Sequence, residues 1–467
     1  MTRDVAVLVG IFVLSRAALL TLGFQFVVGY AGSAVQDLDP ALLRSHLLQS
    51  LWYMPGQPPL WNGLLGAFMH VSPTHWPQLW HVTFLGLGLA VTIGLYLLLR
   101  ALGLGSTAAL VISAVFSVSP VVVLEENWLF YDYPTLAVLT VTTLAVSIFV
   151  RRPTFGRGLF LFGGAAALTL SRTLFQLEWL LALVVIMLLT CRGNRRLVLW
   201  AGALPVALVL SVYAKNLVMY GVPSTTSWTG MGLARVAVAA LPLSERRKLV
   251  AAGRLHSVSL VKPLAPLADY EAVGIRPAPA TGIPVLDEAS GPEYPRNLEN
   301  KTYITISRLY WKDDLWVVEH RPGAYLRQVV RGIDDFFTSP TLIWAGQGND
   351  AKIHAYDTWF NNTVYGRVGP GRVGVFVVAA YALALAFGLW VAAMRLRPGA
   401  DAATVTIAFA AITILYVFVT ANLAEVGENN RFRFVLDPLA VSLVAVVVQK
   451  AWLRRPRVLR QGAAAAR

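Results

Sequence analysis

Cysteine is almost missing from this chain of 467 residues: Cys191 is the single one. That excludes an intramolecular disulfide framework and makes redox chemistry a poor expectation. Charge is scarce too. Asp, Glu, Lys and Arg make up 14% of the residues, where a soluble protein carries about 25%. No G-x-x-x-x-G-K-[ST] phosphate loop and no Rossmann glycine pattern occurs, so nothing points to a nucleotide-fuelled pump. A G-x-S-x-G nucleophile elbow is also absent. His46, His70, His75 and His81 cluster in or near one loop, but their spacing matches no standard metal site.

What the chain does have is apolar length. It is 56% hydrophobic, and runs at 5–29, 81–99, 104–124, 133–150, 158–174, 177–191, 197–214, 372–394, 402–421 and 438–452 read as about ten membrane spans. The first run is long enough to stay as a span rather than be cleaved as a leader. The expected fold is an all-α polytopic membrane protein. Residues 1–214 form an N-terminal membrane module, 215–371 a mostly helical extracytoplasmic insertion, and 372–467 a C-terminal membrane module with a basic tail.

The net charge of +14 would suit nucleic acid, but its distribution argues otherwise. Arg100, Arg151, Arg152, Arg157, Arg192, Arg195, Arg196, Arg395, Arg397, Arg454, Arg455, Arg457 and Arg460 all fall on one side if the N-terminus is cytoplasmic. Of the 25 acids, Asp4 and Asp401 alone share that side. Both termini are therefore expected in the cytoplasm of a bacterial-type membrane, with the chemistry outside.

Four stretches on the acid-rich side carry that chemistry. The first loop holds Asp37 and Asp39, either a candidate general base, before a Gln57-Pro58-Pro59 turn that sends the chain back. A second loop reads Glu125-Glu126-Asn127-Trp128-Leu129-Phe130-Tyr131-Asp132, acids among aromatics that need partners near lipid. A third places Arg172 and Glu178 close enough to pair with each other. The last, Glu425-Val426-Gly427-Glu428-Asn429-Asn430-Arg431-Phe432-Arg433, puts two arginines against the positive-inside bias, as an anionic headgroup or phosphate would require. Pairing with Glu425 or Glu428 is the alternative.

Arg16, midway along the first span, needs a buried acid and is expected to be structural. Within the insertion, seven prolines between Pro263 and Pro295 mark an irregular connector. Two amphipathic helices follow at 297–320 and 322–337. On the first, Tyr303, Ile306, Tyr310 and Trp311 recur at helical spacing and read as core.

In this order, the acids after the first span, the Gln57-Pro58-Pro59-Leu60 turn, Glu126-Asn127-Trp128 and the Glu428 to Arg433 stretch resemble the GT-C superfamily of polytopic glycosyltransferases. The likeness is nearest to its bacterial branch similar to dolichyl-phosphate-mannose protein mannosyltransferases. The superfamily often has His-Pro-Pro where this chain has Gln57-Pro58-Pro59. The insertion resembles no sugar-binding module.

The resemblance implies inverting transfer of a sugar from a polyprenyl-phosphate donor to a glycan, lipid or protein hydroxyl. Asp39 is then the preferred base, with Asp37 the near alternative and Glu126 a further acid. Arg431 and Arg433 would hold the phosphate, with Lys215 a weaker candidate. Glu125, Asn127, Gln57, Arg172, Glu428 and Asn430 would bind acceptor or support the site. No cofactor is required, although Glu125, Glu126 and Asp39 would suit a divalent cation if they converge. A lipid-sugar transporter or flippase and a membrane-anchored binding scaffold are the rival readings.

Overall fold

The computed structural model describes residues 2–28, 36–291, 296–342, 348–366 and 373–454; Arg455, Arg457 and Arg460 of the expected tail lie outside them. Among the described residues the chain is helical, without a β-strand. Helix α1 (Thr2–Thr21) leads into a loop with three short helices, α2 (Pro40–Ser45), α3 (Leu47–Tyr53) and α4 (Pro59–Val71). There follow α5 (Trp76–Ala101), α6 (Ser106–Val118), α7 (Pro120–Glu126), α8 (Asp132–Arg151), α9 (Phe155–Ser171), α10 (Leu177–Thr190) and α11 (Arg195–Tyr220).

The insertion carries α12 (Thr229–Ala234), α13 (Leu243–Ala251), α14 (Leu267–Glu271), α15 (Pro284–Asp287), α16 (Thr302–His320) and α17 (Pro322–Phe336). It ends with α18 (Asn349–Lys352) and α19 (His354–Thr363). Helices α20 (Val375–Arg395), α21 (Ala402–Ala424) and α22 (Asn429–Arg454) complete the chain.

Each of the ten apolar runs contains helix, although α1 ends at Thr21 inside the first run and the third is broken at Ser119, and length separates them. Among the described residues seven helices (α1, α5, α8, α11, α20, α21 and α22) are long and apolar enough to cross a membrane. The arrangement is compatible with an integral membrane protein. An eighth crossing would be the pair α6–α7, bent by 56°. Pro120 opens α7, where its missing N–H breaks the ladder and Ser119 is forced into an extended conformation. Helices α9 and α10 have 17 and 14 residues. At about 1.5 Å per residue both fall short of a hydrocarbon core about 30 Å thick.

Among the described residues there are two large hydrophobic cores, besides a small cluster of Phe24, Val123, Leu124 and Ile353. The larger fills the bundle; the smaller lies inside the insertion and is built from Trp228, Met231, Val238, Tyr270, Tyr303, Ile306, Tyr310 and Val317. Three members of the expected aromatic stripe are therefore core, but Trp311 is 42% exposed. The insertion is not independent of the bundle: Leu286, Ile304, Phe336 and Phe360 belong to the bundle core.

The bend at Pro120 turns Glu126 inward, where it meets Arg16. Arg16 donates through Nε to Glu126 Oε1 (2.8 Å) and through Nη2 to Oε2 (2.7 Å), while Nη1 donates to the Ser117 carbonyl (3.0 Å). Tyr133 donates its hydroxyl to Glu126 Oε2 (2.8 Å). Gly88 on α5 leaves the room this carboxylate occupies; a Cβ there would overlap Oε2. Removing one member of a buried pair leaves an uncompensated charge at a cost of about 3–5 kcal/mol. Arg16→Met should therefore lower thermal stability in detergent markedly, and adding Glu126→Met should recover most of the loss. A melting curve unchanged in the single variant would contradict the pairing.

Candidate functional site

The first loop is clamped by the first turn of α4. Leu38 N donates to Asn62 Oδ1 (2.8 Å), and Asn62 Nδ2 donates to the Gln36 carbonyl (3.1 Å). Trp61 Nε1 donates to Asp37 Oδ1 (2.8 Å). The double proline explains the geometry: Pro58 stands at the N-cap and Pro59 opens α4, so Trp61 and Asn62 project from a helix start onto the preceding loop.

Asp37 is buried, and that burial pushes its carboxyl up to about 7, partly opposed by the Trp61 bond. Asp39 does a different job. It caps α2, its Oδ1 accepting from Ala41 N (2.7 Å) with Pro40 at the first helical position. Asp39 Oδ2 is buried without a hydrogen-bond partner and sits where a side chain at Gly291 of the insertion would go.

Behind Trp61 lies a cluster of charge and rings. The Trp61 ring packs edge-on against Tyr131 (6.2 Å between centroids). Tyr131 is shared by two buried guanidinium groups: Arg172 lies 4.8 Å from its ring, and Arg431 Nη2 approaches its hydroxyl at 3.5 Å. Asp132 bridges them, with Oδ1 2.6 Å from Arg172 Nη1 and Oδ2 2.7 Å from Arg431 Nε. Phe432 covers another side of Arg172 (5.0 Å), and Phe130 covers Arg431 (4.5 Å). Glu428 accepts from Arg431 Nη1. Burial alone would raise the Glu428 carboxyl, but the charges of Arg431 and Arg235 outweigh it and hold the group below its ordinary value.

Two arginines and two carboxylates make the cluster neutral. Of the four, Glu428 is the member with a solvent-exposed side chain (40%). The side-chain nitrogens of Arg172 are buried and none makes an aligned hydrogen bond, although Nη1 lies 2.6 Å from Asp132 Oδ1.

Several expected partners change. Arg172 pairs with Asp132 and not with Glu178, which accepts from the Tyr416 hydroxyl (3.0 Å). Two positions apart on a helix, Arg431 and Arg433 point to different surroundings. Arg433 donates to the carbonyls of Phe336 (2.8 Å) and Thr338 (3.2 Å) and pairs with Asp437 (3.1 Å). Glu425 pairs with Arg235 (2.7 Å).

Glu126 has both oxygens engaged by Arg16 and Tyr133, which leaves it poorly suited to take a proton from a substrate. Asn127 bonds the Val123 carbonyl (2.8 Å), and its own carbonyl accepts from Val27 N (2.8 Å). Asn430 donates to the Ser339 carbonyl (3.0 Å). Glu125 is buried beside Glu126. Among the described residues no three His, Cys, Asp or Glu side chains converge as metal ligands, so the condition under which Glu125, Glu126 and Asp39 would suit a divalent cation is not met.

Lys215 and Gln57 belong to a junction between the insertion and the first loop. Lys215 Nζ donates to the Met54 carbonyl (2.9 Å), Ser227 N to Pro55 O (2.9 Å) and Thr226 Oγ1 to Gly56 O (2.6 Å). Gly56 N donates to Glu299, whose carboxyl burial pushes up to about 8 against that bond and the nearby Lys215 charge. A Cβ at Gly56 would overlap Trp228 and Glu299. Gln57 is buried next to this junction.

A groove of about 720 Å³ runs along α6, α20 and α22. Its walls are almost wholly apolar, from Leu104, Val448 and Trp452 at one end to Tyr365, Tyr381, Arg433 and Asp437 at the other. Sequence reasoning passed over Trp61, Asp132 and Glu299. Asp132 closes the acid–aromatic stretch from Glu125 and opens α8, but nothing local in the sequence signals that two arginines reach it.

The Trp61 bond favours the charged form of Asp37, so Trp61→Phe should raise the carboxyl titration above about 7. A hydrogen bond to a charged group contributes about 1.5 kcal/mol, which corresponds to roughly one pH unit. Titration of isotope-labelled aspartate by NMR reads this directly. No movement would mean that Trp61 does not hold the charge.

Compared with family models, with curated proteins and with solved structures, the chain matches none.

Proposed function

We propose that the chain is a GT-C-type membrane glycosyltransferase. In this reading a sugar passes from a polyprenyl-phosphate donor to an acceptor hydroxyl on the extracytoplasmic side, with both termini cytoplasmic. One observation carries it: Asp37 is a buried carboxylate near neutral pKa, joined through Trp61 and Tyr131 to the guanidinium groups of Arg172 and Arg431. A base and an anion site on one run of contacts suit transfer from a phosphate leaving group.

The roles follow from the geometry. Asp37 replaces Asp39 as the preferred base, because Asp39 spends one oxygen on capping α2. Asp37 takes the acceptor hydroxyl proton as the acceptor oxygen bonds to the sugar's anomeric carbon. The anomeric carbon–oxygen bond to phosphate breaks, and its electron pair leaves on polyprenyl phosphate. Arg431 and Arg172 hold that phosphate, which takes the place of the exposed Glu428 carboxylate at Arg431. Attack from the face opposite the leaving group inverts the centre without a covalent sugar–enzyme intermediate. No cofactor is needed by this scheme.

The groove supports a lipid-linked donor. From Arg433 to Trp452 it follows 19 residue steps of α22, about 28 Å at 1.5 Å per residue, close to the thickness of a bilayer core. A flippase reading draws on the same groove, but gives no part to a buried carboxylate of raised pKa.

Purified protein in proteoliposomes, supplied with a polyprenyl-phosphate sugar and an acceptor mixture, should release polyprenyl phosphate; a flippase or scaffold would release none. Asp37→Asn should lower turnover about 10²–10⁴-fold, the usual contribution of a general base. If Asp39→Asn does so and Asp37→Asn does not, the base is Asp39. Full activity in both removes the loop from the chemistry. Because the base works unprotonated and its carboxyl lies at about 7, kcat/KM should fall as pH drops through 7. A limb near pH 4 would contradict Asp37. Arg172→Gln and Arg431→Gln should each weaken donor use about 10–100-fold, as expected for a lost charged hydrogen bond.

A further inference from the structure

The geometry points to the α16–α17 hairpin as an in-plane membrane anchor. Its apolar edge sinks into the leaflet beside the acid-bearing end of the bundle, and Arg327 and Arg331 meet anionic phospholipid headgroups.

Helix α17 packs against α16, α21 and α22 and still leaves an apolar stripe uncovered. Ala324, Val329, Gly332 and Phe336 are buried on one face. Leu326, Val330 and Ile333 recur at i, i+4 and i+7 along an adjoining stripe, where Leu326 is 54% and Val330 58% exposed and Ile333 is half-buried. Arg327 and Arg331 follow each exposed apolar residue by one position, with Asp334 beyond them. An apolar stripe edged by arginines is the pattern of a helix lying in a membrane interface, its charged heads reaching up to the headgroups.

The height of the hairpin is set by bonds to the ends of spanning helices. Tyr325 donates its hydroxyl to the Leu423 carbonyl (2.9 Å), in the last turn of α21. On that helix Leu415, Val419 and Leu423 are themselves exposed, as residues facing lipid would be. On α16, Arg308 donates to the carbonyl of Tyr220, the last residue of α11. Leu217 and Val218 are exposed at that same end. Trp311 and Leu315, three and seven positions after Arg308, are 42% and 48% exposed, with Lys312 between them.

Both helices are thus pinned where apolar span surface stops, and both continue it. Surfaces that face water avoid such contiguous apolar stripes. Charge selects the occupant: Arg327, Arg331 and Lys312 complement anionic headgroups.

This inference stands apart from the proposed chemistry and is tested without it. Cys191 can be replaced by Ser and nitroxide labels placed by Leu326→Cys or Val330→Cys, with Glu271→Cys on α14 as an exposed control. The full chain goes into nanodiscs of phosphatidylglycerol and phosphatidylcholine, and collisions with oxygen and with a water-soluble nickel chelate are measured. Labels at 326 and 330 should show an oxygen-to-nickel ratio several-fold above that at 271. A ratio equal to the control would mean that the stripe faces water. Low collision rates with both reagents would mean that a second copy or another protein covers it. Either result overturns the proposal. The wild-type chain should also retain phosphatidylglycerol at least twofold over phosphatidylcholine through detergent washing, and Arg327→Gln/Arg331→Gln should abolish the preference. Equal retention of both lipids by the wild type overturns the headgroup part.

Discussion

Asp132 is a buried carboxylate gripped by guanidinium groups from two distant parts of the chain. Arg172 reaches it from the end of α9 and Arg431 from the start of α22. The rings of Phe130, Tyr131 and Phe432 keep water away from the pair. In such surroundings charge–charge attraction is stronger than at a surface, and an unpaired member is costly. The three side chains therefore lock α8, α9 and α22 at one end of the bundle. Tyr131 precedes Asp132 and is carried into place by it, which sets where Trp61 and then Asp37 can pack.

Around this lock, polar groups are satisfied from unusual distances. Arg16 and Glu126 compensate each other across 110 positions. The carbonyls of the short Met54–Gly56 turn are taken up by Lys215 near the end of α11 and by Ser227 and Thr226 of the insertion. The insertion is consequently part of the site's support: it fixes the turn before α4, and α4 fixes the loop bearing Asp37. The far end of the insertion does the same for α22, since Phe336 and Thr338 supply carbonyls to Arg433.

The two loop aspartates meet different partners although they stand two positions apart. Both lie in one short loop and both are buried. Asp39 precedes a proline and a helix, so a backbone N–H is within its reach and capping follows. Asp37 has no helix to cap and meets an indole instead. Pro40 had made Asp39 the natural choice as base because it holds the residue still. The same rigidity commits one of its oxygens.

Much of the architecture was legible in the chain itself. Apolar runs mark where helices form, because backbone groups removed from water must bond within their own segment. The stripe of Tyr303, Ile306 and Tyr310 marks a core, whereas the run 104–124 reads as one span and its bend at Pro120 emerged with the fold. The need of Arg16 for a buried acid was also legible, from the cost of leaving it alone. Which acid answered it was not, nor that Arg172 would choose Asp132 over Glu178, six residues away in sequence. Ion pairing depends on which helix ends come within about 3 Å, and that distance is set by the packing of the whole bundle. Hydrophobic pattern and proline are local properties of the sequence; the pairing of charges is a property of the assembled fold.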